Sequence, residues 1–134
     1  MKGLYGDGTL ESWNLIGCNL TALPEEFGAV RTTGHLALYN NKLTSLPESF
    51  GNLRVGGTLW LSNNQLTSLP ESFGNLRVGG NLGLYSNQLT SLPESFANIT
   101  VGGDLYLKYG GDIGPAMGEA RALNYCNVKG KVWK

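Results

Sequence analysis

The segment Leu43-Thr-Ser-Leu-Pro-Glu-Ser-Phe50 recurs unchanged at 66–73 and 89–96, each copy starting 23 residues after the last. A looser version, Leu20-Thr-Ala-Leu-Pro-Glu-Glu-Phe27, stands one period upstream. Between copies, Asn52-Leu-Arg-Val-Gly-Gly returns from Asn75 almost verbatim and from Asn98 as Asn-Ile-Thr-Val-Gly-Gly. A unit this short cannot enclose a core. It buries its apolar face only by stacking on its neighbours, so a fixed period in the twenties dictates a solenoid.

Read in register, the repeats form columns. Trp13, Leu36, Leu59, Leu82 and Leu105 make one, and Leu15, Leu38, Leu61, Leu84 and Leu107 lie two residues on. Spacing of two puts both on one face of a short strand, with the residue between them facing outward. Further columns hold Leu20, Leu43, Leu66 and Leu89, then Leu23, Leu46, Leu69 and Leu92. Phe27, Phe50, Phe73 and Phe96 form an aromatic spine, with Leu4 in the equivalent place at the start. One polar column, Cys18, Asn41, Asn64 and Asn87, separates the strand from the rest.

The resulting pattern, L-x-L-x-x-N-x-L, resembles the core of the leucine-rich repeat over roughly residues 4 to 109. The resemblance implies an α/β solenoid: a right-handed superhelix with short parallel strands on the concave face and tight or 3-10 turns on the convex one. It also implies protein ligands bound on the concave face. The departure is Val-Gly-Gly at 55–57, 78–80 and 101–103, where Gly replaces the family's first Leu. It reads as a tight bend in which missing side chains let successive backbones approach closely. A phosphate-cradling glycine loop is disfavoured, because no helix with a Lys follows.

An Asn amide donates and accepts at once, so its column is expected to bond the turn's own backbone and that of the next repeat. Cys18 takes the same place and is expected to be buried. In the Ser45-Leu-Pro-Glu48 type of segment, Ser is expected to cap a helical turn, Pro to preset φ, and Glu to bond back. That also explains the row Glu25, Glu48, Glu71 and Glu94 without a metal. Arg31, Arg54 and Arg77 form a second row, read as a solvated face.

A single domain is expected over 1–134, with an N-terminal cap and first coil at 1–12, repeats at 13–109 and a C-terminal cap at 110–134. Met117, Ala120 and Leu123 at helical spacing behind Pro115 predict a helical C-terminal cap. The stretch 127–133 reads as a degenerate last strand whose Val132 or Trp133 plugs the core. Cys18 and Cys126 lie nearly five repeats apart, on the order of 20 Å at strand spacing. That exceeds the roughly 7 Å a disulfide allows, so both are expected as free thiols. With no apolar leader in the first seven residues, they point toward an intracellular compartment. The triplets Asn19-Leu-Thr21 and Asn98-Ile-Thr100 fit glycosylation sequons but arise easily by chance in this composition.

Ten Lys and Arg balance ten Asp and Glu, so nothing favours binding to nucleic acid. No apolar run is long enough for membrane insertion. One histidine and two cysteines give little material for a metal site, a cofactor or catalysis. The outward strand positions vary while the rest repeats. They carry His35, Tyr39, Trp60, Tyr85, Tyr106 and Lys108, with Tyr109 beyond. Exposed aromatics anchor recognition surfaces, so these are the expected binding residues of a non-catalytic protein-interaction module. Two other readings stand beside it. One is a structural subunit held in a larger assembly by its convex edge and cap. The other is carbohydrate binding by stacking on Trp60 and Tyr106.

Overall fold

The computed structural model describes residues 9–89, 91–107 and 128–133. Among these, the backbone winds through stacked coils that hydrogen-bond to one another on every side. One side is a six-stranded parallel sheet of β2 (Trp13–Asn14), β4 (Leu36–Ala37), β6 (Leu59–Trp60), β8 (Leu82–Gly83), β10 (Leu105–Tyr106) and β11 (Val132–Trp133), adjacent in that order. Leu36, Leu59, Leu82 and Leu105 stand over one another in register, and all four are fully buried. The coils therefore pile up like over like, as the period requires.

A second sheet was not foreseen in the sequence. Arg31–Thr32 (β3), Arg54–Val55 (β5), Arg77–Val78 (β7) and Thr100–Val101 (β9) pair in parallel behind β1 (Thr9–Leu10), making five strands among the described residues. Two-residue strands leave no alternation to read. Only the buried Val beside an outward Arg marks them.

Four 3-10 turns, η1 (Glu25–Ala29), η2 (Glu48–Asn52), η3 (Glu71–Asn75) and η4 (Glu94–Asn98), form the corner between the extended Leu-rich segment and the second sheet. The expected Ser/Glu capping box does not form. Pro24, Pro47, Pro70 and Pro93 are themselves the N-caps, with no side-chain cap bond. Their carbonyls accept the N–H of the spine Phe at 2.9–3.0 Å. The Ser two residues before Pro lies outside the turn. The Ser after Glu bonds between coils instead: Ser49 and Ser95 donate Oγ–H to the carbonyls of Glu25 and Glu71 at 2.6 and 2.5 Å.

The phenylalanine spine is a ring stack, with centroids 6.2, 6.0 and 5.7 Å apart from Phe27 to Phe96 and planes within 5°. Trp13 continues it, 5.5 Å from Phe27; Leu4, expected there, lies outside the described residues. Trp13, Leu15, Leu20 and Leu23 are only partly buried, because no described coil covers their outer side. At the far end Val132 packs against the core, whereas Trp133 is 46% exposed and does not plug it. The predicted helix with Met117, Ala120 and Leu123 lies outside the described residues, as do Cys126, Lys108 and Tyr109.

The Val-Gly-Gly bend is tight for the reason expected. Gly56, Gly79 and Gly102 donate N–H to the preceding coil at 2.8–2.9 Å, as do Gly57, Gly80 and Gly103 at 2.9 Å. A Cβ at Gly79 would fall on the Gly56 carbonyl oxygen.

Candidate functional site

The buried polar column is the structural counterpart of any surface site. Asn64 Nδ2 donates to the carbonyls of Leu61, 3.0 Å away in its own coil, and Leu38, 3.1 Å away in the preceding one. Its Oδ1 accepts from Leu43 N at 3.1 Å. Asn41 and Asn87 repeat the arrangement, Asn41 accepting from both Cys18 N and Leu20 N. The amides thus reach back to the preceding coil, not forward as expected. Cys18, in the first described coil of this column, has no such turn to reach. Its side chain is exposed rather than buried, and it is a free thiol. The residue before each member of the column turns the chain with positive φ: Gly17 before Cys18, and Asn40, Asn63 and Ser86 before the three Asn, all between 54 and 63°.

The variable face of the six-stranded sheet divides into three columns with different roles. The first, Ser12, His35, Thr58, Asn81 and Asp104, looks unconserved from coil to coil but shares one property: each side chain accepts a hydrogen bond. Ser12 Oγ accepts from His35 N at 3.0 Å, and His35 Nδ1 from Thr58 N at 2.8 Å. Thr58 Oγ1 accepts from Asn81 N at 3.2 Å, Asn81 Oδ1 from Asp104 N and Asp104 Oδ1 from Lys131 N, both at 2.8 Å. The second Gly of each bend makes room for this ladder, since a Cβ at Gly57 or Gly80 would meet His35 Nδ1 at 2.6 Å or Thr58 Oγ1 at 2.8 Å.

His35 is therefore built into the coil-to-coil bonding, and its ring proton sits on Nε2 because Nδ1 accepts. His35→Ala is expected to cost about 1–2 kcal/mol by leaving the Thr58 N–H without its acceptor. His35→Asn, which restores an acceptor, should recover most of it. Urea unfolding midpoints of the two variants check this, and equal losses would show that the acceptor is immaterial.

The second and third columns carry the rings. Trp60 lies over Gly83, where a Cβ would collide with its benzo edge, and so reaches Tyr106 two strands away at 6.1 Å between centroids. Tyr85 meets both edge-on at 6.4 Å. Tyr106 in turn stacks on Trp133 at 6.2 Å with planes 4° apart, and Lys131 Nζ lies 5.4 Å above the Trp133 ring. Gly83 in this column is thus a seat for indole rather than a gap. Ala37 and Ser62 stand at outward positions of the strands yet are buried at 9% and 1% exposure, Ser62 lying between Tyr39 and Tyr85 in its column.

Tyr39, Trp60 and Tyr85, with Asn40 and Asn63, line a hollow at the turn edge of the face. A second hollow lies on the other side of the Tyr39–Trp60 pair, lined also by Trp13, Ile16 and His35. Tyr39, Trp60, Tyr85 and Tyr106 are therefore brought together on one surface, and His35 flanks them. Asp104 sits at the base of the ring cluster. The Lys131 N–H, the Tyr106 hydroxyl, the Trp133 side chain and the Lys131 charge hold its carboxyl below the usual carboxylate range, against the opposing effect of desolvation. Burial, then the Asp104 charge and hydrogen bond, push the Tyr106 phenol up. Sequence reading missed Trp133, the one large apolar side chain that is exposed among the described residues. Its register opposite Tyr106 was the available signal.

Coils of constant length, joined by two parallel sheets and a ladder of asparagines, define a repeat solenoid. The Leucine Rich Repeat family model matches residues 34–53 and 58–76, which supports leucine-rich repeats in this chain. Domains of this family are generally non-catalytic interaction modules. No curated protein matches the chain. Among the described residues no helix is long and apolar enough to cross a membrane, and no three His, Cys, Asp or Glu side chains cluster as a metal site would need.

Proposed function

We propose that the chain is a non-catalytic protein-binding module whose partner docks on the outward face of the six-stranded sheet. The observation that carries this reading is the half-exposed cluster of Trp60, Tyr85 and Tyr106, extended by Trp133, on strands whose other outward residues are small or polar. Rigid, amphipathic rings of this kind are the usual high-energy anchors of an interface. Six strands span about 29 Å, and a strand width of about 12 Å gives a face near 350 Å². A standard interface covers roughly 800 Å² per partner. The partner therefore also engages the neighbouring turn edge, where Tyr39 lines the hollow with Asn40 and Asn63.

A protein ligand is favoured over a sugar because Tyr106 already has one ring face engaged by Trp133, which removes a stacking surface. The test is affinity capture from native extract with the wild-type chain and with a Trp60→Ala/Tyr85→Ala double variant, followed by mass spectrometry. Truncating two anchors is expected to weaken partner binding by about 2–4 kcal/mol while the melting temperature stays nearly constant. Undiminished capture by the double variant would move the partner to another face, and a hit on a glycan array that the double variant loses would favour carbohydrate.

A further inference from the structure

The second sheet carries a row of like charges. Arg31, Arg54 and Arg77 are direct register partners on β3, β5 and β7. Like charges opposed on strands about 4.8 Å apart destabilise a sheet, and no carboxylate forms an ion pair with any of the three among the described residues. Each guanidinium is instead pinned through Nη1 alone. Arg31 Nη1 donates to the Gly28 and Val30 carbonyls at 3.2 and 3.0 Å. Arg54 Nη1 donates to Gly51 and Leu53 at 3.2 and 2.8 Å and reaches Asn75 O in the next coil at 3.4 Å. Arg77 Nη1 donates to Thr100 Oγ1 at 3.0 Å. The Nε and Nη2 donors of all three have no acceptor among the described residues. Burial first, then the charges of Arg77 and Arg31, hold Arg54 below its ordinary pKa, which an anion at the site would relieve.

Arg54, Arg77 and Thr100 line a hollow of about 310 Å³ over Val55, Val78 and the glycine bend. Thr100 Oγ1 accepts from Arg77, so its own proton is free to donate outward. The adjoining hollow between Arg31 and Arg54 includes Glu25 and Glu26, whose carboxylates repel an anion. This confines the site to the Arg54–Arg77 side. We propose that this hollow binds a phosphate-type dianion, gripped by the free edges of Arg54 and Arg77 and by the Thr100 hydroxyl. A tetrahedral dianion matches two adjacent cations in charge and offers oxygens to two forks and a hydroxyl together. A single planar carboxylate satisfies one fork and leaves a net positive pair. The site lies on the sheet opposite the aromatic face and does not depend on the partner proposed there.

Calorimetric titration of the full chain with inorganic phosphate at constant ionic strength tests this. One saturable phosphate per chain is expected, together with a higher melting temperature and no saturable binding of acetate. Arg77→Gln, whose side chain bonds only Thr100, should weaken phosphate binding about tenfold without altering the fold. Thr100→Val should weaken it about threefold, and Arg31→Gln should leave it within about twofold. Arg54→Lys, which keeps charge but loses the fork, should behave like Arg77→Gln. A short phosphoserine peptide distinguishes the sources: tighter binding than inorganic phosphate assigns the site to a phosphorylated side chain, and equal or weaker binding assigns it to free phosphate. No saturable phosphate binding, or binding that Arg77→Gln leaves unchanged, overturns the proposal.

Discussion

Asn64→Ala is expected to cost about 2–4 kcal/mol of unfolding free energy, a large share of the roughly 5–15 kcal/mol that holds a domain together. The side chain is 7% exposed and accepts from Leu43 N while donating to the carbonyls of Leu38 and Leu61, with a longer contact to Ser62 O. Alanine leaves the buried Leu43 N–H without its acceptor and takes one of two amide donors from each carbonyl, Leu38 O keeping Asn41 Nδ2 and Leu61 O keeping Asn87 Nδ2. Asn64→Asp should be no better, because an ionised carboxylate cannot donate to the two carbonyls and turns them into repulsive neighbours. Cys18→Ala, in the same sequence column, should change stability by no more than about 0.5 kcal/mol, since its side chain is exposed. Denaturant midpoints measured side by side decide the matter. A similar loss for Cys18→Ala and Asn64→Ala would mean that the column matters for shape and not for its hydrogen bonds.

Gly51→Ala is the second large effect, with an expected cost of about 3 kcal/mol or more. A Cβ there would fall on the carbonyl oxygen of Ser72 in the next coil, which is backbone and cannot swing aside. The clash sits beside fully buried Phe50, so relieving it means parting the ring stack. Gly28 and Gly74 face Ser49 and Ser95 in the same way. The fourth coil supplies an internal control. Ala97 takes the glycine's place in η4, and no further 3-10 turn stacks on it among the described residues. Ala97→Gly should therefore destabilise by only about 0.5–1 kcal/mol, through chain entropy. Melting curves that show Gly51→Ala as mild as Ala97→Gly would mean that the coils are free to spread.

The two clearest errors in the sequence reading share a cause. The Asn column was legible as buried and polar, yet whether an amide bonds the coil above or the coil below is set by where the turn places it, not by its identity. The column of Ser12, His35, Thr58, Asn81 and Asp104 showed five residue types and so passed for free variation. Only the structure reveals that each accepts a backbone N–H 23 or 27 residues onward. A hydroxyl, an imidazole, an amide and a carboxylate look unrelated in sequence but are interchangeable to a donor. His35, expected among the binding residues, also carries a coil-to-coil bond that its identity did not announce, whereas Tyr39, Trp60, Tyr85 and Tyr106 lie on the outward face as expected.

The period, the leucine columns, the phenylalanine spine and the stacking of like over like were determined by the sequence alone. Each coil repeats the same residues at the same path length, and burying them permits only one alignment of neighbours. The tertiary structure alone decided the second sheet, the backward reach of the asparagines, the seating of Trp60 over Gly83 and the unpaired arginine row. These depend on which atom of one coil meets which atom of the next. The two lie a full period apart in sequence, and no local pattern records the geometry of their meeting.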